Sequence, residues 1–293
     1  MKYRHAFHAG NFADVHKHVA LVSLLRLLTR KDTGLLVLDT HAGRGLYDLA
    51  GAQAARSDES AAGIGRLLEI TDEWPEEVTD YLDIVRRVRR IVGDRNAYPG
   101  SPLLALAALR PQDRLALIET QPEEHAALRG AVRRALGQLP AAEVDEPTIE
   151  CADGFQRLAA WMPPIERRAL VLIDPPYEDT AADFQNVTAA ARETLRRLAN
   201  AVIAIWYPIK YGKDTDAWRE RLAANLPLQA GGAATSVASL ELRIYPPDNR
   251  VGLNGSGLLV INPPWQFAER ARRWLPALHR RLDPSAQGGW SVG

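Results

Sequence analysis

LVLIDPPYE, residues 170–178, is an apolar run that stops abruptly at an acid, two prolines and a tyrosine. A short run rich in Val, Ile and Leu and bounded by proline predicts a buried parallel strand. The ligands of an open α/β sheet bind outside the carboxyl ends of its strands. We therefore expect Asp174, Pro175 and Tyr177 to lie where the chemistry takes place.

The residues that follow this predicted strand suit a planar exocyclic amino group, such as N6 of adenine. The lone pair of that nitrogen is delocalised into the ring, so two hydrogen-bond acceptors must localise it. The carboxylate of Asp174 and the carbonyl of Pro175 can each accept one N–H, and Tyr177 can stack on the base. Proline fixes φ near about −65°, which holds the acceptors in place before the substrate arrives. For Asp174-Pro175-Pro176 alone, a strand followed by a proline-rich turn is an equal alternative, but the added Tyr177 weighs against it.

Six further strand-like runs alternate with helical patterns along the chain. They are Leu35–Leu38, Leu115–Ile118, Thr148–Cys151, Val202–Trp206, Val237–Ile244 and Leu258–Ile261. The alternation predicts a doubly wound sheet, whereas a polar, glycine-rich loop between the last two runs predicts an antiparallel hairpin at one edge. The predicted class is therefore α/β, with a seven-stranded, mostly parallel sheet and an antiparallel edge hairpin, as in Rossmann-like methyltransferases.

Residues 50–98 interrupt this alternation with two successive helical patterns, which predict a small helical insertion subdomain. The main domain would then comprise residues 1–49 and 99–293. One helix of the insertion has a basic face that is either a solvated surface or a nucleic-acid contact: Arg86, Arg87, Arg89 and Arg90, with Arg95 beyond. The tail after Pro284 is expected to be loosely ordered.

Composition restricts the class of protein. The chain has 293 residues, 46% of them hydrophobic, and 36 basic residues balance 36 acidic ones, so a nucleic acid would have to be held by local basic patches. Its only cysteine, Cys151, excludes an internal disulfide and a cysteine-rich metal site, and is expected to be a small buried hydrophobe. The sequence contains no apolar run of transmembrane length and no signal-peptide pattern. We expect a cytoplasmic protein.

Acids and glycines follow the first predicted strand, in the string Asp39-Thr40-His41-Ala42-Gly43-Arg44-Gly45. Glycines here let a ligand approach the backbone, in dinucleotide enzymes and in adenosyl-cofactor enzymes alike. Asp48 stands where the dinucleotide fingerprint has its third glycine. A short turn bounded by acids suits a zwitterionic sulfonium cofactor better than a pyrophosphate, so a nicotinamide oxidoreductase is a distant alternative.

Further candidate cofactor contacts follow other strands. Glu119 ends the second parallel strand, where a carboxylate can accept both ribose hydroxyls. Asp153 and Gly154 follow the third, where the acid can accept from an adenine amino group or can cap a helix. Ser101 is either a cofactor contact or the cap of the next helix.

The N-terminal region is rich in histidine, with His5, His8, His16 and His18 ahead of a predicted apolar helix, Val19–Leu28. Their spacing matches no zinc pattern, and methyl transfer needs no metal. We predict that Tyr3, Arg4, Lys17 and His18 fold over the active site and contact substrate or cofactor. The alternative is an N-terminal arm with solvated histidines.

Several strings, spread in order over nearly the whole chain, resemble one family. They are YRHAFHAGNFADVHKH, LDTHAGRGLYDL, YPGSPLLA, ADGF, LIDPPYE, WYPI and SGLLVINPPW. Together they are similar to the bacterial 23S ribosomal RNA adenine-N6 methyltransferases; DPPY alone would include DNA and protein-glutamine methyltransferases. The resemblance implies an enzyme that uses S-adenosyl-L-methionine to methylate N6 of a specific adenine in 23S rRNA.

The resemblance also assigns residues. It places the catalytic acid at Asp174 and an RNA contact at Tyr3. It places the cofactor contacts at His18, His41, Ser101, Glu119, Asp153 and Gly154. The expected partner is 23S rRNA that is protein-free or early in assembly, bound by a monomer with no metal and no membrane. A DNA adenine-N6 methyltransferase and a noncatalytic RNA-binding module on the same fold remain as alternatives.

Overall fold

The computed structural model describes residues 7–51, 58–69, 73–136, 138, 145–178, 180–212, 215–229, 231–250 and 252–293. The strands are β1 (Leu36–Asp39), β2 (Leu46–Asp48), β3 (Ala97–Pro99), β4 (Arg114–Glu119), β5 (Thr148–Cys151), β6 (Ala169–Ile173), β7 (Val202–Ile209), β8 (Val237–Arg243), β9 (Gly255–Ile261) and β10 (Gly289–Val292). The helices are α1 (Phe12–Leu28), α2 (Arg66–Leu68), α3 (Glu76–Val92), α4 (Ser101–Ala108), α5 (Pro122–Ala135), α6 (Gly154–Trp161), α7 (Thr180–Arg197), α8 (Thr215–Ala224) and α9 (Phe267–Leu282). A π-helical turn, Ala61–Gly65, leads into α2.

A mixed sheet forms the centre of the molecule, in the strand order β10-β8-β9-β7-β6-β1-β4-β5. Strands β5, β4, β1, β6 and β7 are parallel, whereas β9 is antiparallel to both β7 and β8. The predicted α/β class, all seven strands and the antiparallel hairpin are confirmed. The strand number differs, because β10 adds an eighth strand and β2 pairs with β3 in a separate two-stranded sheet.

The segment after Pro284 is more ordered than predicted. Strand β10 pairs antiparallel with β8 and forms the edge of the sheet, with Trp290 opposite Leu242. Two backbone hydrogen bonds join Gly293 to Ser239, and the carboxylate of Asp283 accepts from the Gly288 N–H. The prediction of a loose tail was wrong because pairing with β8, and not the local sequence, orders this segment.

Two apolar layers cover the two faces of the sheet. Successive side chains of β1 point to opposite faces of the sheet, so Val37 packs on one face and Leu36 and Leu38 pack on the other. Helices α1, α3, α4 and α9 cover the first face, with Trp274 fully buried among them. Helices α6, α7 and α8 supply the second layer.

Helix α1 begins at Phe12, seven residues earlier than predicted. The side chain of Asn11 caps it by accepting from the N–H groups of Ala13 and Asp14. The helix is buried nearly all round, and Asp14, His16, Lys17 and His18 are buried with it. The alternative of solvated histidines is therefore wrong for His16 and His18, because their ring nitrogens bond to other parts of the protein.

Residues 50–98 contribute to the main core. Helix α3 buries a stripe at helical spacing, as its pattern predicts: Val78, Tyr81, Leu82, Val85 and Val88. It packs against α1, α4, α5 and α9, and Arg89 donates to the Ala97 carbonyl. The division into a main domain and an insertion subdomain stays a prediction.

Cys151 is exposed on the edge strand β5, so the expectation of a buried cysteine was wrong.

Candidate active site

A cavity of about 710 Å³ opens at the carboxyl edge of the parallel strands. The strand order reverses between β1 and β6, which is the place where open α/β sheets bind ligands. Three acids meet this edge, Asp39 at the end of β1, Glu119 at the end of β4 and Asp174 directly after β6. The sheet therefore brings together, at one edge, three acids that lie far apart in the sequence.

Glu119 lines the cavity and is held by two backbone donors. Its Oε2 accepts from the N–H of Gly43 at 2.9 Å, and its Oε1 accepts from that of Gln121 at 2.7 Å. Burial raises its pKa despite these bonds. Gly43 has a φ of 60°, and a Cβ there would lie 2.6 Å from the Tyr47 hydroxyl oxygen. The turn therefore requires glycine at this position, which brings the Gly43 N–H within hydrogen-bonding distance of the Glu119 carboxylate. The carboxylate oxygens have further lone pairs that can accept from a ligand hydroxyl.

Ser101 lines the cavity and bonds to Asp39. Its hydroxyl donates to Oδ2 of Asp39 at 2.7 Å, and the His41 N–H donates to Oδ1 at 3.1 Å. Burial raises the pKa of Asp39 to about 6. Gly100, and not Ser101, occupies the cap position of α4, so the capping alternative for Ser101 was wrong. The sequence showed an acid at the end of β1 but did not reveal that Asp39 holds Ser101.

Both predicted cofactor histidines line the cavity. Nδ1 of His18 shares a hydrogen bond of 2.8 Å with the Tyr98 hydroxyl, which lies 3.0 Å from that of Tyr81. Nδ1 of His41 shares one of 2.8 Å with the Thr40 hydroxyl, and burial lowers the pKa of His41 to about 4. His41 is therefore neutral at physiological pH and presents an uncharged ring to a ligand.

Asp153 and Gly154 lie at the same sheet edge but do not line the cavity. Asp153 caps α6 by accepting from the Gln156 N–H at 3.1 Å, as the alternative for this residue predicts. A Cβ on Gly154 would lie 1.9 Å from the Thr40 carbonyl oxygen. Gly154 thus lets α6 approach the end of β1, whereas cofactor contacts by these two residues stay predictions.

Asp174 forms a buried ion-pair cluster with α1. The ammonium of Lys17 lies 2.5 Å from Oδ2 of Asp174 and 3.0 Å from Oδ1 of Asp14. Burial lowers the pKa of Lys17, but the two carboxylates outweigh it and hold that pKa well above its ordinary value. Lys17 is therefore charged, and it fixes the Asp174 carboxylate at the cavity wall.

Pro175 and Tyr177 also line the cavity. Tyr177 has a φ of 50° and is only 3% exposed. Its hydroxyl donates to the Trp206 carbonyl at 2.7 Å, and its ring centroid lies 5.0 Å from that of Phe184. The ring is thus largely covered by the protein, and base stacking by Tyr177 stays a prediction.

Sequence reasoning missed several polar residues of the cavity wall. Glu59 binds the Nδ1 of His8 and the side-chain amide of Asn11, each at 3.0 Å from its Oε2. Asp14 accepts from the Gly10 N–H as well as pairing with Lys17. The position of Asp14 three residues before Lys17 was an available signal, because that spacing places both on one helix face.

Two predicted RNA contacts and the predictions on metal and membrane were not decided by the geometry of the cavity. Tyr3 and Arg4 lie outside the described residues. In the residues that are described, no group of three or more His, Cys, Asp or Glu side chains could hold a metal ion. Within that same part of the chain, no helix combines the length and apolar character needed to cross a membrane.

Comparisons with known proteins identify relatives of this chain. The family model described as "Ribosomal RNA large subunit methyltransferase D, RlmJ" matches residues 32–293. The "Ribosomal RNA large subunit methyltransferase J" of Escherichia coli is 38% identical over 293 residues, covering 100% of this chain and 98% of that protein. The Haemophilus influenzae protein with the same name is 36% identical over 292 residues, with the same coverage.

One solved structure is similar over almost the full length. The crystal structure of protein LPL1258 from Legionella pneumophila has a TM-score of 0.81 and 31% sequence identity, covering 98% of each chain. The family match, the full-length relatives and the shared fold lead to one conclusion. This chain belongs to the RlmJ family of ribosomal RNA large subunit methyltransferases.

Proposed function

We propose that this ribosomal RNA methyltransferase transfers the methyl group of S-adenosyl-L-methionine to N6 of one adenine in 23S rRNA. The observation that carries the proposal is the position of Asp174 and Pro175 together at the wall of the cavity, with Lys17 holding the carboxylate. An acid and a backbone carbonyl at one place form a pair of acceptors. A primary amino group has the matching pair of N–H donors.

The residues of the cavity fit the cofactor. Glu119 is placed to accept ribose hydroxyls, and the bend at Gly43 leaves space for a ligand beside the backbone. Acids at three strand ends favour a ligand that carries a positive sulfonium, because opposite charges attract strongly where water is excluded. When bound, the cofactor supplies an electrophilic methyl group.

The chain's own residues then orient the nucleophile. Asp174 and the Pro175 carbonyl each accept one N–H of the adenine amino group and so localise its lone pair. Lys17 keeps the carboxylate from rotating away, since its ammonium lies between Asp174 and Asp14. No strong base is needed, because the amino proton becomes acidic only after the methyl has transferred. Positioning therefore contributes more than basicity.

The target base has to leave its stack to reach Asp174, which is easiest in a loop or an unpaired region of RNA. We propose that the substrate is 23S rRNA free of protein or early in assembly, and that Tyr3 and Arg4 contact it. The enzyme would act as a monomer, without a metal, in the cytoplasm. The insertion of residues 50–98 would be a subdomain that supplies part of the cavity wall, as Glu59 does.

Methylation of protein-free 23S rRNA from cells that lack the enzyme tests the proposal. With labelled S-adenosyl-L-methionine, we expect incorporation at one adenine, identified as N6-methyladenosine by mass spectrometry of nuclease digests. A DNA copy of the same region is the matched control. Incorporation into DNA alone would support a DNA methyltransferase, and a noncatalytic module would incorporate label into neither polymer.

A further inference from the structure

An exposed tyrosine and an exposed arginine stack on each other beside the active-site cavity. Tyr211 is 47% exposed, and the guanidinium carbon of Arg250 lies 5.3 Å from the centroid of its ring. A cation at this distance from an aromatic ring is attracted to its face. The pair presents a planar, positively charged surface to solvent.

The topology brings this pair to the edge of the sheet that holds Asp174. Strand β7 is the parallel neighbour of β6, so Lys210 and Tyr211 follow its carboxyl end. The connection from β8 to β9 returns at the same edge, where the Asn254 N–H donates to the Ile209 carbonyl at 2.8 Å. Lys210 and Tyr245 line the same cavity as Asp174. The stacked pair therefore lies next to the substrate side of the cavity.

A buried asparagine holds the loop that carries Arg250. The side-chain amide of Asn254 donates to the carbonyl of Pro246 at 3.2 Å and to that of Asn249 at 2.7 Å. Asn254 is itself buried. These bonds close the loop on itself immediately before Arg250, so the arginine is placed over the tyrosine by an anchored turn. Asp248 is the acidic residue of this loop, and both Asp248 and Arg250 are exposed.

We propose that Tyr211 and Arg250 form a stacking platform for a nucleotide that flanks the target adenine in single-stranded RNA. The inference rests on the proposed function. Every base has a π-face, so an aromatic ring beside a guanidinium binds an unpaired base without requiring its identity. Arg250 and Lys210 also attract the backbone phosphate. Holding the neighbouring nucleotide here keeps the strand extended while the target base occupies the cavity.

Trp265 provides a matched control. It is the most exposed aromatic residue among those described, at 82%, but it follows β9, which runs antiparallel to β7. It therefore lies at the opposite edge of the sheet from Asp174. Trp265→Ala removes a large exposed ring without touching the platform.

Steady-state kinetics with protein-free 23S rRNA test the proposal. We expect Tyr211→Ala to raise KM for the RNA by about fivefold to about a hundredfold, the range for losing one stacked base. The turnover at saturating RNA and the calorimetric affinity for S-adenosyl-L-methionine should stay unchanged. Tyr211→Phe should retain the wild-type KM because it keeps the ring, whereas Tyr211→Leu should behave like Tyr211→Ala. Trp265→Ala should match the wild type.

Direct binding separates the platform from catalysis. The probe is a short fluorescein-labelled oligoriboadenylate, followed by anisotropy over a series of salt concentrations. Tyr211→Ala should weaken binding, and Arg250→Ala should reduce the slope of log affinity against log salt by about 0.7, the value for one phosphate contact on a single strand. Arg250→Lys should keep the slope but lose part of the affinity, since lysine has no planar group to stack.

The outcomes distinguish the two proposals. Unchanged KM and unchanged oligonucleotide binding in Tyr211→Ala would overturn the platform, whatever the enzyme methylates. An equal loss in Trp265→Ala would also overturn it, since any exposed ring would then suffice. Weaker oligonucleotide binding by Tyr211→Ala, in an enzyme that places no methyl on adenine N6, would support the platform and reject the proposed function.

Discussion

The ammonium group of Lys17 lies 2.5 Å from Oδ2 of Asp174, although 157 residues separate the two along the chain. Both side chains are largely buried, and Asp14 provides a second carboxylate at 3.0 Å from the same ammonium. Two acids and one base thus share a small volume from which water is mostly excluded. Both carboxylates depend on the Lys17 ammonium for compensation of their charge.

Replacing Lys17 should destabilise the fold as well as the site. Lys17→Met removes the cation that the largely buried carboxylates of Asp14 and Asp174 share, so the free energy of unfolding should fall by about 3–5 kcal/mol. Urea denaturation measures this loss, and the second substitution Asp14→Asn should recover part of it. Lys31→Met, at an exposed position, is the control and should change stability by less than about 0.5 kcal/mol. Equal effects of the two lysine substitutions would contradict the ion-pair cluster.

Asp174→Asn should abolish methylation while sparing the cofactor. The amide keeps one acceptor oxygen, which turns toward the Lys17 ammonium, so its NH2 faces the substrate amino group and that group loses its acceptor. We expect turnover to fall at least about a hundredfold, by analogy with the loss of one preorganised polar contact to the transition state. Calorimetry should show affinity for S-adenosyl-L-methionine within a few-fold of the wild type. A parallel loss of binding and turnover would mean that Asp174 belongs to the cofactor site.

Gly154→Ala tests the close approach of α6 to β1. Its Cβ would lie 1.9 Å from the Thr40 carbonyl oxygen, so the backbone has to move, at a cost of about 1–3 kcal/mol. Thr40 lies between Asp39 and His41, and cofactor affinity should fall with stability. Gly130→Ala in α5 is the control, because nothing lies within 4 Å of the added carbon. It should stabilise the protein by about 0.5–1 kcal/mol.

His16 should make the protein sensitive to acid. Its Nδ1 lies 2.9 Å from the Ser256 hydroxyl, and burial lowers the pKa of His16 from 6.5 to about 3. Between these pH values the unfolded chain takes up a proton that the folded chain does not, so stability is lost as pH falls through this window. From pH 7 to pH 5 the contribution is about 2 kcal/mol, at about 1.4 kcal/mol per pH unit.

Urea titrations at the two pH values check the prediction for His16. The stability of the wild type relative to His16→Gln should decrease by about 2 kcal/mol between pH 7 and pH 5. His125→Gln on helix α5 is measured alongside as a control for the loss of an imidazole ring at a partly exposed position. A constant difference for His16→Gln would show that His16 titrates alike in the folded and unfolded chains.

The inner parallel strands β1, β4, β6 and β7 were predictable because their sequences contain continuous apolar runs, as expected of a sheet covered on both faces. Strands β2 and β3 have three residues each and include Asp48 and Pro99, so neither carries a strand pattern of its own. Strand β10, GWSV, has only four residues and begins at a glycine, and its order comes from pairing with β8. The missed strands are thus those that tertiary pairing creates.

The site residues, like the strands, divide into those that the local sequence predicts and those that depend on tertiary packing. Acids after β1, β4 and β6 were predictable, because parallel strands bring their carboxyl ends to one edge. The pairing of Lys17 with Asp174 was not, since it depends on how α1 packs over the sheet. The apolar pattern predicted only Val19–Leu28 and missed the first two turns of α1. A helix that is covered on all sides can bury polar residues when they are hydrogen-bonded or ion-paired, so it need not show an amphipathic pattern.

The contacts of α1 have a consequence for how the protein is made. Its Lys17 meets Asp174 in the second half of the chain, and its His16 meets Ser256, 240 residues further along. Synthesis proceeds from the N-terminus, and partners so far apart in sequence are slow to meet. During translation α1 therefore leaves the ribosome long before it can dock, when Lys17 still lacks Asp174 and His16 still lacks Ser256. The polar side chains of α1 have all their hydrogen-bond partners only when β9 has been synthesised.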